Sequence, residues 1–588
     1  VSAGFGSIVV GSPEGCGEGF EGEPVTPVQV EATSDRVTYE PKENVRVTAF
    51  VKNNGNDSLE KLTASFTFKD ALGAKIHSAS KIIDRIEGRA GETVSITWKA
   101  GELMPRGYVV DVDVEADGES LGKGRVIFDV AEWTQVPRYG FFAIYGYEGT
   151  NPSPSEKYID KKVADLAKFH INSVQFYDWF ELHGNYAPPR KGVYQIKGLD
   201  NYNDAEKVSE KLSEAQKRGM KCMAYVVVYA VADVVFEGHP DWALTDESGV
   251  PLPFGGEEFR LQYVYPGREC GWHDYAMDQF VKSMRIFGWD GIHIDQYDSM
   301  YKSYWNSREV DLVKPFIDFV DDAREAVRKV NPKAAVVFNS ISKKPLQLIE
   351  SSTEDFVYVE TWITPSYEDV AGMIRSCRDI SGGKAVVLAA YTPKDSSKPT
   401  ILLLDAVIFA NQGFHIELGE GNCVLADSYF PRYDELPTEV VEALRNYYGH
   451  ITRYEEYIYG SDVERLERGA VVKGRPFSTV VEADKIYVVN YRRVEDGEPT
   501  ELIFHLVNFK GVSVMDWHTA EQAVPTELKG VGVEVPLPQG KGVAAVYLAS
   551  PDEGDGDPEQ LGFMEEGGFV RFRVPRLSYW STVIVKLK

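Results

Sequence analysis

Between residues 25 and about 131, apolar and polar positions alternate with a period of two. Val45, Val47, Ala49 and Val51 share one face of a strand, Leu62, Ala64, Phe66 and Phe68 share another, and Val94, Ile96 and Trp98 repeat the pattern. Turn clusters at Asn53-Asn-Gly-Asn-Asp57 and Gly88-Arg-Ala-Gly91 punctuate them, which predicts an immunoglobulin-like β-sandwich. From about residue 135 the rhythm becomes short apolar strand, polar loop, amphipathic helix. Strands are predicted near 139–146, 173–178, 221–229, 290–296, 334–339, 356–361, 384–391 and 413–418, with helical stretches such as 163–169 and 276–284 between them. Eight such units predict a central (β/α)8 TIM barrel, whose chemistry would gather at the C-terminal ends of its strands. A doubly wound open sheet is the structural rival, but no glycine-rich phosphate loop follows the first strand. Beyond about residue 460 the strand rhythm returns at 486–491, 502–507 and 581–587, predicting a C-terminal antiparallel β-sandwich. The chain thus divides into a flexible tail (1–24), a sandwich (25–132), a catalytic barrel (133–459) and a second sandwich (460–588). Residues 552–557, rich in Gly and acid, are expected to form an exposed loop.

Composition narrows the class. With 588 residues the chain exceeds a single core, and 43% apolar content supports several. Asp and Glu outnumber Lys and Arg by 90 to 63, a formal charge of −27, so the surface repels nucleic acid and anionic lipid but not a neutral polymer. The 10 Trp and 32 Tyr suit carbohydrate, whose C–H faces pack on aromatic rings, although many must simply be core. Five scattered cysteines, with no CxxC pair and no zinc spacing, give no disulfide framework and ask for no metal or other cofactor. No apolar run approaches the roughly 18 to 20 residues of a membrane span. The Gly- and Ser-rich start at Val1 leads us to expect a removed signal and a secreted or cell-surface protein. Cys16 as a lipid-attachment site lacks the apolar run that should precede it.

The candidate chemistry sits at strand ends. In strand four, period two places His293 and Asp295 on one face, and in strand six it groups Tyr358 with Glu360. Two carboxylates at one end of a barrel are what cleavage of a glycosidic bond needs; about 5 to 5.5 Å apart they make a retaining pair, about 6.5 to 9.5 Å an inverting one. The competing reading is two structural carboxylates satisfied by loop amides or basic side chains. Strand two ends in Tyr177, Asp178, Trp179 and, further on, His183: an acid to accept from vicinal hydroxyls, a ring to stack on a sugar and a donor. Strand eight adds Glu417 and Glu420 at the same end, one of which could serve only to bind an arginine or cap a loop.

These residues resemble glycoside hydrolase family 66, the dextranases and cycloisomaltooligosaccharide glucanotransferases. The resemblance runs through Gln175-Phe-Tyr-Asp-Trp179, Asp290-Gly-Ile-His-Ile-Asp-Gln296, Phe338-Asn339, Tyr358-Val-Glu-Thr-Trp362, Ala389-Ala-Tyr391, His415-Ile-Glu-Leu-Gly-Glu420 with Tyr429-Phe-Pro431, and His505-Leu-Val-Asn-Phe509 to Val574-Pro-Arg-Leu-Ser-Tyr-Trp580. It implies that Asp295 is the nucleophile and Glu360 the acid/base of a retaining mechanism. Tyr177, Asp178 and Trp179 would hold the sugar, with His183, Gln296, Asn339, Tyr391 and Glu417 around them and Trp362 helping Tyr358 to bury Glu360. The family's glucanotransferases carry an inserted carbohydrate-binding module for which this chain has no room, so the expectation leans to endo-hydrolysis of α-1,6-linked, dextran-like glucan to isomaltooligosaccharides. Cyclising transglycosylation and non-catalytic glucan binding are the alternatives. Two departures bear on specificity: only one His follows Trp179, and residues 250–270 match no family motif.

Overall fold

Period-two alternation between residues 28 and 130 resolves into two facing sheets. One holds Val28–Ser34, Asn44–Asn53 and Gly91–Lys99; the other holds Thr38–Tyr39, Leu59–Asp70, Lys75–Ile86, Arg106–Ala116 and Glu119–Val130. Val45, Val47, Ala49, Val51, Leu62, Ala64, Phe66 and Phe68 are all 0% exposed, so the alternating positions are those that meet between the sheets. The computed structural model describes residues 27–99, 104–145, 156–196, 202–254, 260–296, 302–361, 365–553 and 556–588. The predicted tail 1–24, Cys16 and Trp362 lie outside them.

All eight central strands form: β1 (Tyr139–Phe142), β2 (Ser173–Phe176), β3 (Lys221–Val227), β4 (Gly291–Asp295), β5 (Ala335–Phe338), β6 (Val357–Glu360), β7 (Val386–Ala389) and β8 (Gly413–His415). A helix follows each: α1 (Glu156–Ala167), α2 (Ala205–Lys217), α3 (Gly271–Phe287), α4 (Val313–Arg328), α5 (Leu346–Ser351), α6 (Tyr367–Ile380), α7 (Lys398–Ala410) and α8 (Thr438–Arg453). Strands β1 to β5 pair in parallel as one sheet, and β6 to β8 as a second. Where a continuous ring of eight is expected, the two arcs meet only at two short pairings. Asn339, just past β5, bridges to Tyr358 of β6, and Gly419 pairs with Phe141 of β1. Past β8 the Ile416 amide still donates to the Leu388 carbonyl of β7 at 2.9 Å, and Leu418–Gly419 then turns to β1, where the pairing is a single residue long.

Helix α7 is buried along its whole length from Pro399 to Ala410 because it is sandwiched between β8 and the C-terminal sheets, so its sequence Ile401-Leu-Leu-Leu-Asp-Ala-Val-Ile-Phe409 is apolar all round. The other long helices carry an apolar stripe on one side. Residues 463–587 form a seven-stranded and a four-stranded sheet with a core between them that includes Val488, Phe504, Val533, Phe572 and Val585. The molecule is β-rich and multidomain, and among the described residues no helix is long and apolar enough to cross a membrane.

Buried ion pairs tie these parts together. Arg138, at the entry to β1, donates to both oxygens of Asp129 at 2.8 and 3.0 Å and to the His170 carbonyl at 2.6 Å, with Arg138 and Asp129 1% and 0% exposed. The 552–557 stretch, expected to be an exposed loop, is instead tied in at both ends. Asp552 accepts from the amides of Tyr579 and Trp580 and from the Tyr447 hydroxyl, and Asp557 pairs with Arg453 and Arg125. Its acids are there to receive donors from three parts of the chain.

Candidate active site

Parallel register brings the candidate carboxylates to one level. Strand β4 ends at Asp295 and β6 at Glu360; Val227 of β3 lies in register with Asp295, and Tyr225 with His293. Asn339 follows β5 directly and Tyr391 follows β7 by two residues.

Four hydrogen bonds organise the pair. The Tyr225 hydroxyl donates to Asp295 Oδ2 at 2.8 Å, and the Tyr391 hydroxyl to Glu360 Oε1 at 2.9 Å. Between them Asn339 Nδ2 donates to Asp295 Oδ1 at 2.8 Å and to Glu360 Oε2 at 3.0 Å. Those two oxygens lie no further apart than the sum of the two bonds, below the roughly 6.5 Å at which the inverting range begins. Both carboxylates are buried, Asp295 at 9% and Glu360 at 7% exposure. Burial, then the charge of Glu360, pushes the Asp295 carboxyl up to about 7, while the bonds from Tyr225 and Asn339 pull the other way. Such a pair shares its protons, and adding one to either member relieves the other.

Asp178 lies within electrostatic reach of Asp295. Its backbone is left-handed at φ 46°, a conformation Asp tolerates better than most residues, and Asn203 Nδ2 holds its carbonyl at 2.7 Å. The carboxyl accepts no hydrogen bond among the described residues, and burial followed by the Asp295 charge pushes it up to about 8. Tyr177 is half-buried, its ring held between Tyr225 and Phe430 at centroid distances of 4.6 Å to each. Gln296 is half-buried with an unpartnered Oε1 and meets the Tyr229 hydroxyl.

Three expected positions fall elsewhere. Trp179 is 0% exposed, donates Nε1 to the Tyr225 carbonyl at 3.0 Å and packs on Phe287 and Trp289, so it presents no face to a sugar. His183 is buried edge-on against Phe180; burial lowers its pKa to about 4, leaving a neutral ring with Nδ1 unpartnered. Glu417 is 1% exposed and points to the helical layer: it accepts from Tyr448 of α8 at 3.1 Å, lies 3.4 Å from His415 Nδ1 and hydrogen bonds to Asp405 of α7. Burial and the Asp405 charge hold its carboxyl well above the ordinary range. Glu417 shares that outward face with His415, two residues before it, whose Nδ1 also meets Asp405. Trp362 lies outside the described residues.

Tyr225 was not singled out in the sequence. The available signal was period two on β3, which sets Tyr225 on the face that carries His293 and Asp295 on the next strand. Phe430, clamping Tyr177, lay within a quoted motif but carried no assigned role.

Among the described residues, Asp405, His415 and Glu417 are the group whose ligand atoms all fall within 4.8 Å of one another. His415 Nε2 donates to the Ala390 carbonyl at 2.9 Å and Nδ1 meets Asp405 at 2.9 Å, so shared protons account for the contacts of this trio without an ion. A cavity of about 870 Å³ is remote from the carboxylate pair: it lies between the N-terminal sandwich and α1, α2 and α8.

Comparison with known proteins agrees with the resemblance in the sequence. A family model described as glycosyl hydrolase family 66 matches residues 34–584. Two cycloisomaltooligosaccharide glucanotransferases of Niallia circulans are similar, one 22% identical over 709 aligned positions covering 94% of this chain and 71% of the relative, the other 23% identical with 94% and 72% covered. The fold is similar to a solved cycloisomaltooligosaccharide glucanotransferase of Paenibacillus sp. complexed with cycloisomaltoheptaose, with a TM-score of 0.83 at 20% identity, covering 95% of this chain and 100% of that one. An alignment of 709 positions against 588 residues means that the relative carries inserted segments this chain lacks.

Proposed function

The chain belongs to glycoside hydrolase family 66 and is a glycoside hydrolase-type enzyme, and from that premise we propose that it opens α-1,6-glucosidic bonds of a dextran-like glucan by double displacement and returns the glycosyl group to a hydroxyl of the same chain, closing a cyclic isomaltooligosaccharide. The observation that carries the mechanism is the Asn339 amide that spans both carboxylates. Asp295, ionised, attacks the anomeric carbon while Glu360 delivers its proton to the departing oxygen. The ester consumes the Asp295 charge, so Glu360 becomes easier to ionise and accepts the proton of the incoming hydroxyl. Asp178, whose carboxyl accepts no hydrogen bond among the described residues, is suited to the hydroxyls of the sugar at the cleavage point, with Tyr177 beside it.

Cyclising transfer is favoured over the hydrolysis expected from sequence because both curated relatives are glucanotransferases. Release to water, giving linear isomaltooligosaccharides, is the second reading, favoured by the inserted segments that this chain lacks. Incubation with dextran separates them. Products lighter than the linear oligosaccharides by one water, and without a reducing end, mark cyclisation; linear products mark hydrolysis. Near-wild-type turnover by Asp295→Ala would overturn the assignment.

The same reading takes 133–459 as one (β/α)8 barrel between sandwiches at 25–132 and 460–588, supported by eight strand–helix units in order and by the Asn339–Tyr358 and Gly419–Phe141 pairings. It places the enzyme outside the cell, where a glucan too large to be imported is met.

A further inference from the structure

A cleft of about 660 Å³ separates α6 from the strands Val463–Leu466 and Ile486–Glu495 of the C-terminal sandwich. Three arginines line it. Arg375 and Arg378 stand on α6, whose start is fixed by a capping box between Ser366 and Asp369. Arg465 comes from the sandwich, directly opposite Tyr491 in the antiparallel register, so the two side chains share a face. The Tyr491 hydroxyl donates to the Ala410 carbonyl at 3.0 Å and lies within electrostatic reach of all three guanidiniums.

Their partners differ. Arg375 is paired with Glu368. The guanidiniums of Arg378 and Arg465 have no ion pair and no hydrogen bond among the described residues, although the chain carries a charge of −27 and has acids to spare. The acids on the rim, Asp379 and Glu467, are exposed and bridge to neither arginine. Arg378 is also largely withdrawn from water, which lowers its pKa. Its place in the last turn of α6 is favoured by the helix dipole. That does not account for a second unpaired guanidinium arriving from another sheet. Two forks with open N–H donors across a cleft match the oxygens of a tetrahedral anion.

We propose that this cleft binds a phosphate-class oxyanion, clamped between Arg378 of α6 and Arg465 of the C-terminal sandwich. A volume within the roughly 300–1,000 Å³ of small-molecule sites exceeds one phosphate, which favours a phosphoryl group carried on a sugar.

Isothermal titration at low ionic strength tests this with inorganic phosphate, glucose 6-phosphate and glucose. Saturable binding of inorganic phosphate with a Kd of about 1 mM or tighter is expected, and none of glucose. Tighter binding of glucose 6-phosphate identifies a sugar-borne phosphoryl group; equal binding identifies the free ion. Arg378→Gln and Arg465→Gln should each weaken binding about tenfold or more while leaving far-UV circular dichroism and turnover of dextran unchanged. Arg465→Gln alters an exposed side chain and carries the test if Arg378→Gln fails to fold. No saturable heat from either phosphate compound, or undiminished binding by the Arg465→Gln variant, overturns the proposal.

Discussion

The hydroxyl of Tyr225 donates to Oδ2 of Asp295 at 2.8 Å. A hydrogen bond to the charged form of an acid favours that form, so Tyr225 lowers a carboxyl that burial and Glu360 have pushed up to about 7. Tyr225→Phe should therefore raise the Asp295 pKa further. Because attack requires the ionised form, the acid limb of kcat/KM should move to higher pH by about one unit, a loss of about tenfold on the acid side. Rates measured between pH 5 and 9 check this; an unmoved limb with a uniform loss would mean that Tyr225 acts only in packing.

Asn339 acts on both carboxylates through one nitrogen. Asn339→Ala should lower kcat by about 10² to 10³, the scale seen when one preorganised donor is removed from a reacting centre, with a smaller effect on KM. Asn339→Asp should do worse, since it adds a third acid where two already repel. Steady-state kinetics of the two variants, with melting temperatures as a check on folding, settle the order.

The Asp295 carboxyl also makes the active site a cost to stability. In the unfolded chain it ionises near the ordinary aspartate value of 3.8, while in the folded protein it keeps its proton to about 7. Between those values the folded state binds more protons, so stability falls as pH rises and the loss is complete above pH 7. Asp295→Asn should be more stable than the parent at pH 8, by something on the order of 1 to 4 kcal/mol, with the gap closing towards pH 4. Thermal unfolding at the two pH values reads the difference.

Glu417 predicts the opposite pattern. Its carboxyl is held neutral among Asp405, His415 and Tyr448, so Glu417→Gln should retain kcat and KM within about twofold. Glu417→Ala, which opens a buried hole and strands polar partners, should lose about 2 to 4 kcal/mol of stability. Activity and chemical denaturation of both variants distinguish a wall of the binding site, where both would lose affinity, from a buried support.

Periodicity located every central strand because an apolar run between polar loops has few other uses, and it set Asp295 and Glu360 at strand ends because side chains alternate strictly. Position at a strand end misled at Glu417, because alternation sets it on the same face as His415, and that face is turned to Asp405 of α7 rather than to the barrel interior. Composition misled at Trp179, since an indole beside an acid reads as a sugar platform, and only the neighbouring Phe287 and Trp289 show that it is filling space. Tyr225 was obscured for a related reason. One hydroxyl on an apolar strand gives no local sign of the carboxylate it meets 70 positions later.

Arg138 makes the N-terminal sandwich something other than a detachable accessory. Its guanidinium belongs to the chain entering β1, yet the two carboxylate oxygens that it hydrogen bonds come from Asp129 at the end of the sandwich. A shortened chain beginning at residue 133 would remove the bidentate partner and leave Glu455, 3.6 Å from Nη1, as the acid beside the guanidinium, at a cost below the roughly 3 to 5 kcal/mol of a buried charge left wholly unpaired. The two regions should accordingly melt in a single calorimetric transition, and evolution could not discard the first without rewriting the doorway of the second.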